Sequence, residues 1–395
     1  MRMPIQSVTP ASGQAEVCGW VHEVRDLGGL AFFLIRDRTG IIQVTIPKKK
    51  ASEAVLAAAK RVSRESVVRV SGTVKAIDKA PGGRELVPDL FEIISLADSP
   101  LPLDVVEKVP ADLDTRLDAR FLDARRPRVA AVFQIRSAAT HAINQYLHHE
   151  GFINITTPKI VAAATEGGTE LFPIAYFDKE AFLNQSPQLY KQMMMAAGFE
   201  KVFEIGPIFR AEEHNTTKHL NEATSIDIEV SYADHLEVMR ILEAVIVKTY
   251  EYVSETCGDQ LASIGITDFV VPKAPFPMLP YCEAIEIAAK TIEDPIRYGD
   301  DINPSSERTI GAEMGGHYFI VDWPSQIRQS ARHLILCTRE WSYRAERSVC
   351  TSMISSYSRS KRKDWIPGVS SSTCARSGTA CHPMQAGDWE PIGWL

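Results

Sequence analysis

Little in this 395-residue chain points to a membrane, to secretion or to a metal-stapled fold. No apolar run approaches the roughly 18 residues of a membrane helix, so no span is expected. The opening residues MRMPIQSVTP lack the apolar core of a signal peptide, which makes the cytoplasm the expected location. Seven cysteines include no C-x-x-C pair, so neither a zinc site nor a disulfide framework is indicated. There is no excess of basic charge either. The formal charge is −7, which argues against a general nucleic-acid binder but not against a local RNA surface with specific base contacts. A hydrophobic share of 45% is ample for one large core and a smaller domain.

The most informative stretch runs from Val202 to Val230. Val202–Phe209 is apolar and Thr224–Val230 alternates apolar with polar residues, so the two read as an antiparallel hairpin. The loop between them carries Arg210, Glu212, Glu213, Lys218 and His219. Such a loop is either a solvated tip whose charges pair with one another or a polyphosphate site in which arginine binds bidentately. Its carboxylates could receive an amino group or help to place Mg2+.

The order F-R-A-E-E-H-N-T-T-K-H-L-N-E resembles motif 2 of class II aminoacyl-tRNA synthetases, in the form found in archaeal-type aspartyl-tRNA synthetases. The resemblance implies an α+β fold: an N-terminal OB-fold barrel and a catalytic domain built on an antiparallel sheet flanked by helices. It implies that Arg210 bridges the α-phosphate of ATP and the substrate carboxylate. Ala211, Glu212, Lys218, His219 and Leu220 would complete the ATP site, with Glu212 on the adenine amino group. Lys218 stands where the family usually has arginine, which keeps the charge and loses the fork.

Residues 1–100 carry five β-rich runs, Ala15–Glu23, Leu30–Asp37, Ile41–Pro47, Val67–Ile77 and Arg84–Ser95, with a helical run Ser52–Val62 before the fourth. That is the order of an OB-fold barrel. G-W-V-H-E-V-R-D-L-G-G-L-A-F and R-D-R-T-G-I-I-Q resemble the family's anticodon-binding domain. Phe32 would stack an anticodon base, and Arg25 and Gln43 would bond base edges. From the residues alone, one ring of Phe32-Phe33 must point inward and Phe32 reads as core, while Gln43 reads as an ordinary exposed strand residue. His22 and Pro81 stand where aspartate-restricted members have Trp and Lys. They resemble the relaxed subtype that also charges tRNA(Asn) with aspartate.

Residues 101–128 form a proline-led, charge-alternating hinge, and the catalytic domain is expected over 129–328. Val129–Glu150 has helical periodicity ending at Gly151, followed by G-F-I-N-I-T-T-P-K-I. This resembles motif 1, with Pro158 at a homodimer interface; a buried core helix fits the periodicity equally well. Glu166 would meet the ammonium of aspartate. Gln188, Leu189, Tyr190 and Lys191 belong to a segment that binds aspartate in this family, and on a helix Gln188 and Lys191 would share a face. The implied reaction is ATP-dependent activation of L-aspartate, with Mg2+, and transfer to tRNA(Asp) and tRNA(Asn). Alternatives are an asparaginyl-tRNA synthetase and a non-catalytic tRNA-binding paralogue.

After about Arg328 the composition changes, with Cys337, Cys350, Cys374, Cys381, Trp341, Trp365, Trp389 and Trp394 crowding in. Two family segments, E-x-x-S-x-x-x-R and motif 3, G-x-G-x-[DE]-R, are absent from the written sequence, and with them any residue for the Mg2+ site. Reading each hidden codon as the third base of one codon plus the first two of the next restores both. Arg339–Thr351 can encode G-M-E-L-S-S-G-A-Q-R-V-H, and Thr379–Trp394 can encode G-M-P-P-H-A-G-W-G-L-G-A-D-R-L. Shifted ATG and CTG codons begin with TG, which accounts for the cysteines and tryptophans. Residues 329–395 are therefore expected to be an out-of-frame tail, with a small deletion near Arg328–Arg332. The chain as written is expected to be inactive.

Overall fold

The computed structural model describes residues 2–162, 171–211, 220–290, 296–324 and, in backbone only, 335–338. Two compact units are present: Met1–Ala142 with Thr249–Val271, and Ile143–Lys248 with the chain from Pro272 onward.

In the first unit, β1 (Gln14–Asp26), β2 (Leu30–Asp37), β3 (Gly40–Pro47), β4 (Val67–Ala76) and β5 (Arg84–Ser95) close a barrel in the order β1-β2-β3-β5-β4. The expected strands are all present, with ends moved by a few residues at most. Alternation is the cause. In β2, Ala31, Phe33, Ile35 and Asp37 are buried while Leu30, Phe32, Leu34 and Arg36 face outward. Val17, Val21, Phe33, Ile35, Ile42, Val44, Ile46, Val68, Val70 and Leu86 form the core, each contributing about 1.5–3 kcal/mol on burial. Helix α1 (Glu53–Arg61) starts where the Ser52 hydroxyl accepts the Val55 N–H, with Glu53 in its first turn and Lys60 and Arg61 in its last.

The hinge is more ordered than an extended linker. Leu103 and Val105 are buried with Ala119 and Leu122, between α2 (Leu113–Asp118) and α3 (Arg120–Asp123). Its alternating charges are inward-paired: Asp123 has no exposed side-chain surface and meets Arg116 at 2.7 Å, Arg120 and Arg126. Helix α4 (Pro127–His149) follows. Ile135, Ala138 and Ala139 in its first half pack on Val253, Cys257 and Leu261.

The second unit holds β6 (Ile153–Asn154), β7 (Ile160–Val161), β8 (Pro173–Tyr176), β9 (Lys179–Leu183), α5 (Gln188–Ala196), β10 (Lys201–Phe209), β11 (Glu222–Val230) and most of α6 (His235–Thr256). After α7 (Gly258–Ser263), which belongs to the first unit, come β12 (Met278–Pro280), α8 (Tyr281–Ala288), α9 (Pro304–Met314), β13 (His317–Val321) and β14 (Ile335–Thr338). β10 and β11 form the expected antiparallel hairpin. Of the described sheets in this unit, β7-β9-β8 is antiparallel and the other two are mixed, because β6 joins β10 in parallel and β12 joins β13 in parallel. These edge pairings are two or three residues long, too short to leave a pattern in the sequence. Ile143, Leu147, Phe152, Phe203, Ile226 and Ile228 form the core under the hairpin. Leu279, Tyr281, Ile285, Tyr318, Ile320 and Trp323 form a second core.

Asp37 ties the start of the chain to the β2–β3 turn. It accepts the backbone N–H of Ile5 at 3.0 Å, Thr39 at 2.7 Å and Gly40 at 3.1 Å, and the Thr39 hydroxyl at 2.6 Å. Burial pushes its carboxyl up, and these donors outweigh burial and hold it below the ordinary value of about 3.9. A depressed carboxyl adds stability above its unfolded value and loses it as pH falls through the folded one. Asp37→Asn is expected to cost about 1–2 kcal/mol at neutral pH and to flatten the loss of stability below about pH 4. Urea unfolding of both proteins across pH 3–7 checks this.

Candidate functional site

The hairpin register builds the floor of the site. Val202 lies opposite Glu229, Glu204 opposite Asp227 and Gly206 opposite Ser225. Alternation puts these six on one face, while Phe203, Ile205, Ile226 and Ile228 fall on the other with the core. The sequence reading missed Glu204, Ser225, Asp227 and Glu229. Their signal was the alternation in T-S-I-D-I-E-V, where the hydrophobic face was visible and the polar face passed for solvent.

Helix α5 lays Gln188 and Lys191 on this floor, as their spacing predicted. Lys191 is fully buried. Its Nζ donates to Asp227 Oδ1 at 3.0 Å and to the Ile228 carbonyl at 3.3 Å, and lies 3.8 Å from Glu229 Oε2. Gln188 Nε2 donates to Glu229 Oε2 at 3.2 Å. The Ser225 hydroxyl donates to the other oxygen of Asp227. Burial raises the Glu229 carboxyl above its ordinary range, against the pull of Lys191 and Gln188.

A second pair sits on the same face. Glu204 accepts the Thr157 N–H at 2.8 Å, the Thr157 hydroxyl at 2.7 Å and Lys159 Nζ at 2.8 Å. A Cβ at Gly206 would stand 3.2 Å from Lys159 Nζ and 3.3 Å from Glu204 Oε1, so glycine leaves the pair its room. The exposed Pro158 lies between the two residues that grip Glu204, and its carbonyl accepts from Asn184 at 3.2 Å. Asn184 also receives the Phe209 N–H at 3.0 Å on its own carbonyl.

Arg210 and Ala211 are half-buried at the end of β10, where the Arg210 N–H donates to the Asn221 carbonyl at 3.0 Å. Tyr190 is half-buried. Leu189 and Leu220 are exposed at 47% and 58%, so Leu189 does not join Gln188 and Lys191. Glu166, Glu212, Lys218 and His219 lie outside the described residues. Among the described residues no three His, Cys, Asp or Glu side chains could hold a metal. The floor carboxylates face lysines instead, so among the described residues none fits Mg2+.

On the barrel, register again sorts the candidates. Arg25 lies opposite Phe32, which lies opposite Thr45, and Leu34 lies opposite Gln43. Phe33 is 1% exposed and Phe32 half-buried, so it is Phe33 that fills the core and Phe32 that stays on the outer face. Gln43 Nε2 lies 3.2 Å from both Thr45 Oγ1 and Glu85 Oε2, so it is no ordinary exposed residue. Arg25 donates to Glu23 at 2.7 Å, and Glu23 also accepts from Lys108 at 2.7 Å. Those two hydrogen bonds, Lys108 first, hold the Glu23 carboxyl below its ordinary value. His22 is buried and Pro81 is exposed in the turn Pro81–Gly83.

A model of the class II tRNA synthetases (D, K and N) matches residues 112–364, and one of the OB-fold nucleic acid binding domain matches residues 15–94. The Aspartate-tRNA(Asp/Asn) ligase of Methanospirillum hungatei is 70% identical over 328 residues, 83% of this chain and 76% of that protein. The same-named protein of Archaeoglobus fulgidus is 59% identical over 308 residues, 78% of this chain and 71% of the relative. Among solved structures, the asparaginyl-tRNA synthetase of Pyrococcus horikoshii complexed with asparaginyl-adenylate superposes with a TM-score of 0.79 at 29% identity, covering 86% of this chain and 81% of that one. The aspartyl tRNA synthetase of Entamoeba histolytica gives 0.72 at 27% identity, covering 86% and 76%. With a barrel carrying an aromatic and polar outer face and a hairpin floor built around a buried lysine, the chain belongs to the class II tRNA synthetases of the D, K and N group.

Proposed function

We propose that this chain is an aspartate-tRNA ligase that accepts both tRNA(Asp) and tRNA(Asn), with its last segment written out of frame. The observation that carries the substrate is the buried Lys191, fixed by Asp227 and Glu229 on the hairpin floor. An ammonium there suits the side-chain carboxylate of aspartate and gives the neutral amide of asparagine no charge to meet. Relatives named Aspartate-tRNA(Asp/Asn) ligase, identical at up to 70%, support the same reading. The curated relatives at 59% and 70% identity carry the aspartate name, whereas the solved asparaginyl and aspartyl structures, at 29% and 27%, do not separate the two amino acids.

The floor also indicates what the tail must supply. Glu204, Asp227 and Glu229 face Lys159 and Lys191, three acids against two bases. A dicarboxylate substrate therefore needs further cations. Arg210 provides one for the α-carboxylate and the α-phosphate. The arginine of the shifted segment G-M-E-L-S-S-G-A-Q-R-V-H provides another. Activation needs no protein nucleophile: the substrate carboxylate attacks the α-phosphate in line, and the site positions the two and offsets the developing charge. Gln188 fixes orientation beside Lys191, Glu166 takes the ammonium, and Glu212, Lys218 and His219 complete the ATP site. Mg2+ accompanies ATP, on residues that the shifted frame encodes.

On the barrel, Phe32 stacks an anticodon base while Arg25 and Gln43 read base edges. Residues 1–100 form the anticodon-binding domain, 101–128 the hinge, 129–328 the catalytic domain and 329–395 the out-of-frame tail. The family model reaches residue 364, beyond the proposed junction, and the two decoded segments support the change of frame. A twofold homodimer through motif 1 is supported by the exposed apolar residues Val132, Phe133, Ile153 and Ile160. The cytoplasm is where such a ligase meets its tRNA.

Aspartate-dependent pyrophosphate exchange tests the reading. The 395-residue chain is expected to give none, and exchange by it would contradict the frame assignment. A frame-restored gene is expected to give exchange with aspartate and not asparagine. In that background Lys191→Met is expected to lower kcat/KM for aspartate by about 100-fold, from the loss of a charged hydrogen bond in a buried site. Phe32→Ala is expected to weaken binding of an anticodon hairpin by about tenfold, from the loss of one stacked base.

A further inference from the structure

Strand β1 carries one residue more than its partner. Val21 pairs with Ile35 and Glu23 with Leu34, and His22 is the extra residue of a bulge between them. Without the bulge, alternation would put His22 on the outer face opposite Leu34. With it, Glu23 takes that place and Arg25 falls opposite Phe32. The His22 ring is nevertheless only 7% exposed, covered beside Arg36, whose NH1 it meets at 2.6 Å.

Arg36 is itself clamped. Its NH2 donates to both oxygens of Glu65, at 2.9 and 3.2 Å. The Glu65 side chain is 2% exposed and also takes Arg125 NH1 from the hinge at 2.9 Å. Glu65 has φ +64°, and its N–H donates at 2.7 Å to the carbonyl of Val21, the residue before the bulge. The Arg125 guanidinium lies 5.2 Å over the Trp20 ring, and Trp20 lies opposite Arg36. The chain of contacts therefore closes on the bulge from both sides. Arginine can only donate, so Nδ1 of His22 accepts and the ring is neutral with its proton on Nε2. Burial, and then the Arg36 charge, oppose a second proton.

We propose that Arg36 and Glu65 are positioning residues for tRNA choice: clamped Arg36 keeps the His22 ring covered, so that it does not project toward the RNA, and leaves room there for either third anticodon base. This rests on the reading of His22 as a residue of tRNA choice. Aspartate and asparagine codons differ only in the first base, so the anticodons GUC and GUU differ only in the third. A relaxed enzyme must tolerate both at that place. The indole of a tryptophan has one donor and no acceptor, so it cannot take the Arg36 hydrogen bond and is left free to project from the face. Relaxed choice is then a matter of one acceptor nitrogen, held in by a guanidinium that the barrel and the hinge hold in turn.

The test uses the full chain and two labelled RNA hairpins alike except for anticodon GUC or GUU, with affinities read by fluorescence anisotropy. The parent is expected to bind both within about twofold. Arg36→Met frees the ring while Arg125 still neutralises Glu65, so the barrel keeps its fold, which far-UV circular dichroism checks. It is expected to shift the affinity ratio toward GUC by about fivefold, the effect of one lost hydrogen bond. Glu65→Gln is expected to shift it the same way by less, and His22→Trp by at least as much. If His22→Trp shifts the ratio while Arg36→Met and Glu65→Gln weaken both hairpins equally, the network only supports the fold and the proposal is overturned. If His22→Trp leaves the ratio unmoved, the reading of His22 falls, and the proposal with it.

Discussion

An ammonium group without access to water has to be neutralised within a few ångströms, because its desolvation costs several kcal/mol. Lys191 meets that constraint through Asp227 and Glu229, and much of the second unit follows from it. The two acids reach Lys191 only if β11 alternates in this register and α5 packs on the polar face of the hairpin. The opposite face must then be apolar, which Phe203, Ile226 and Ile228 satisfy. Glu204 on the partner strand would add an uncompensated charge, and Lys159 and Thr157 answer it from the segment that bears Pro158. Removing one ion from such a set leaves its partners buried and unpaired, so the set is selected as a whole.

The first unit uses the same chemistry on a longer scale. Charges in its hinge look like a solvated linker when read along the chain, yet Asp123 is buried among arginines and Glu65 is shared by Arg36 and Arg125. Lys108 meets Glu23, which also holds Arg25. Of the side chains proposed to touch RNA, Arg25 is thus tied through Glu23 to Lys108, while Gln43 is held within the barrel by Thr45 and Glu85. A surface made this way resists rearrangement on binding, which favours reading bases by fixed donors and acceptors.

What could be read from the sequence was whatever repeats locally. The barrel strands were legible because L-A-F-F-L-I-R-D and its neighbours alternate, and α1 because Ser52 caps an amphipathic run. The spacing of Gln188 and Lys191 gave their shared face. What could not be read was whatever depends on register between distant strands. The bulge at His22 is invisible until β1 meets β2, and the pairing of Glu204 with Asp227 until β10 meets β11. The parallel partners β6 and β12 are too short to leave a period. Phe32 shows the same limit: sequence said that one of two adjacent rings points inward, and only the barrel says which.

The tail proposed to be out of frame is a separate kind of constraint, set by codons rather than by packing. On that proposal, the two decoded segments supply the further cations and strands for the sheet and site begun by Lys191, Asp227 and Arg210. The account stands or falls on whether those segments are in the gene. The most direct measurement is the nucleotide sequence across the codons for Arg339 to Leu395, read in the shifted frame. The account predicts an open reading that spells G-M-E-L-S-S-G-A-Q-R-V-H and then G-M-P-P-H-A-G-W-G-L-G-A-D-R-L. A shifted frame that meets stop codons, or spells neither segment, would contradict it.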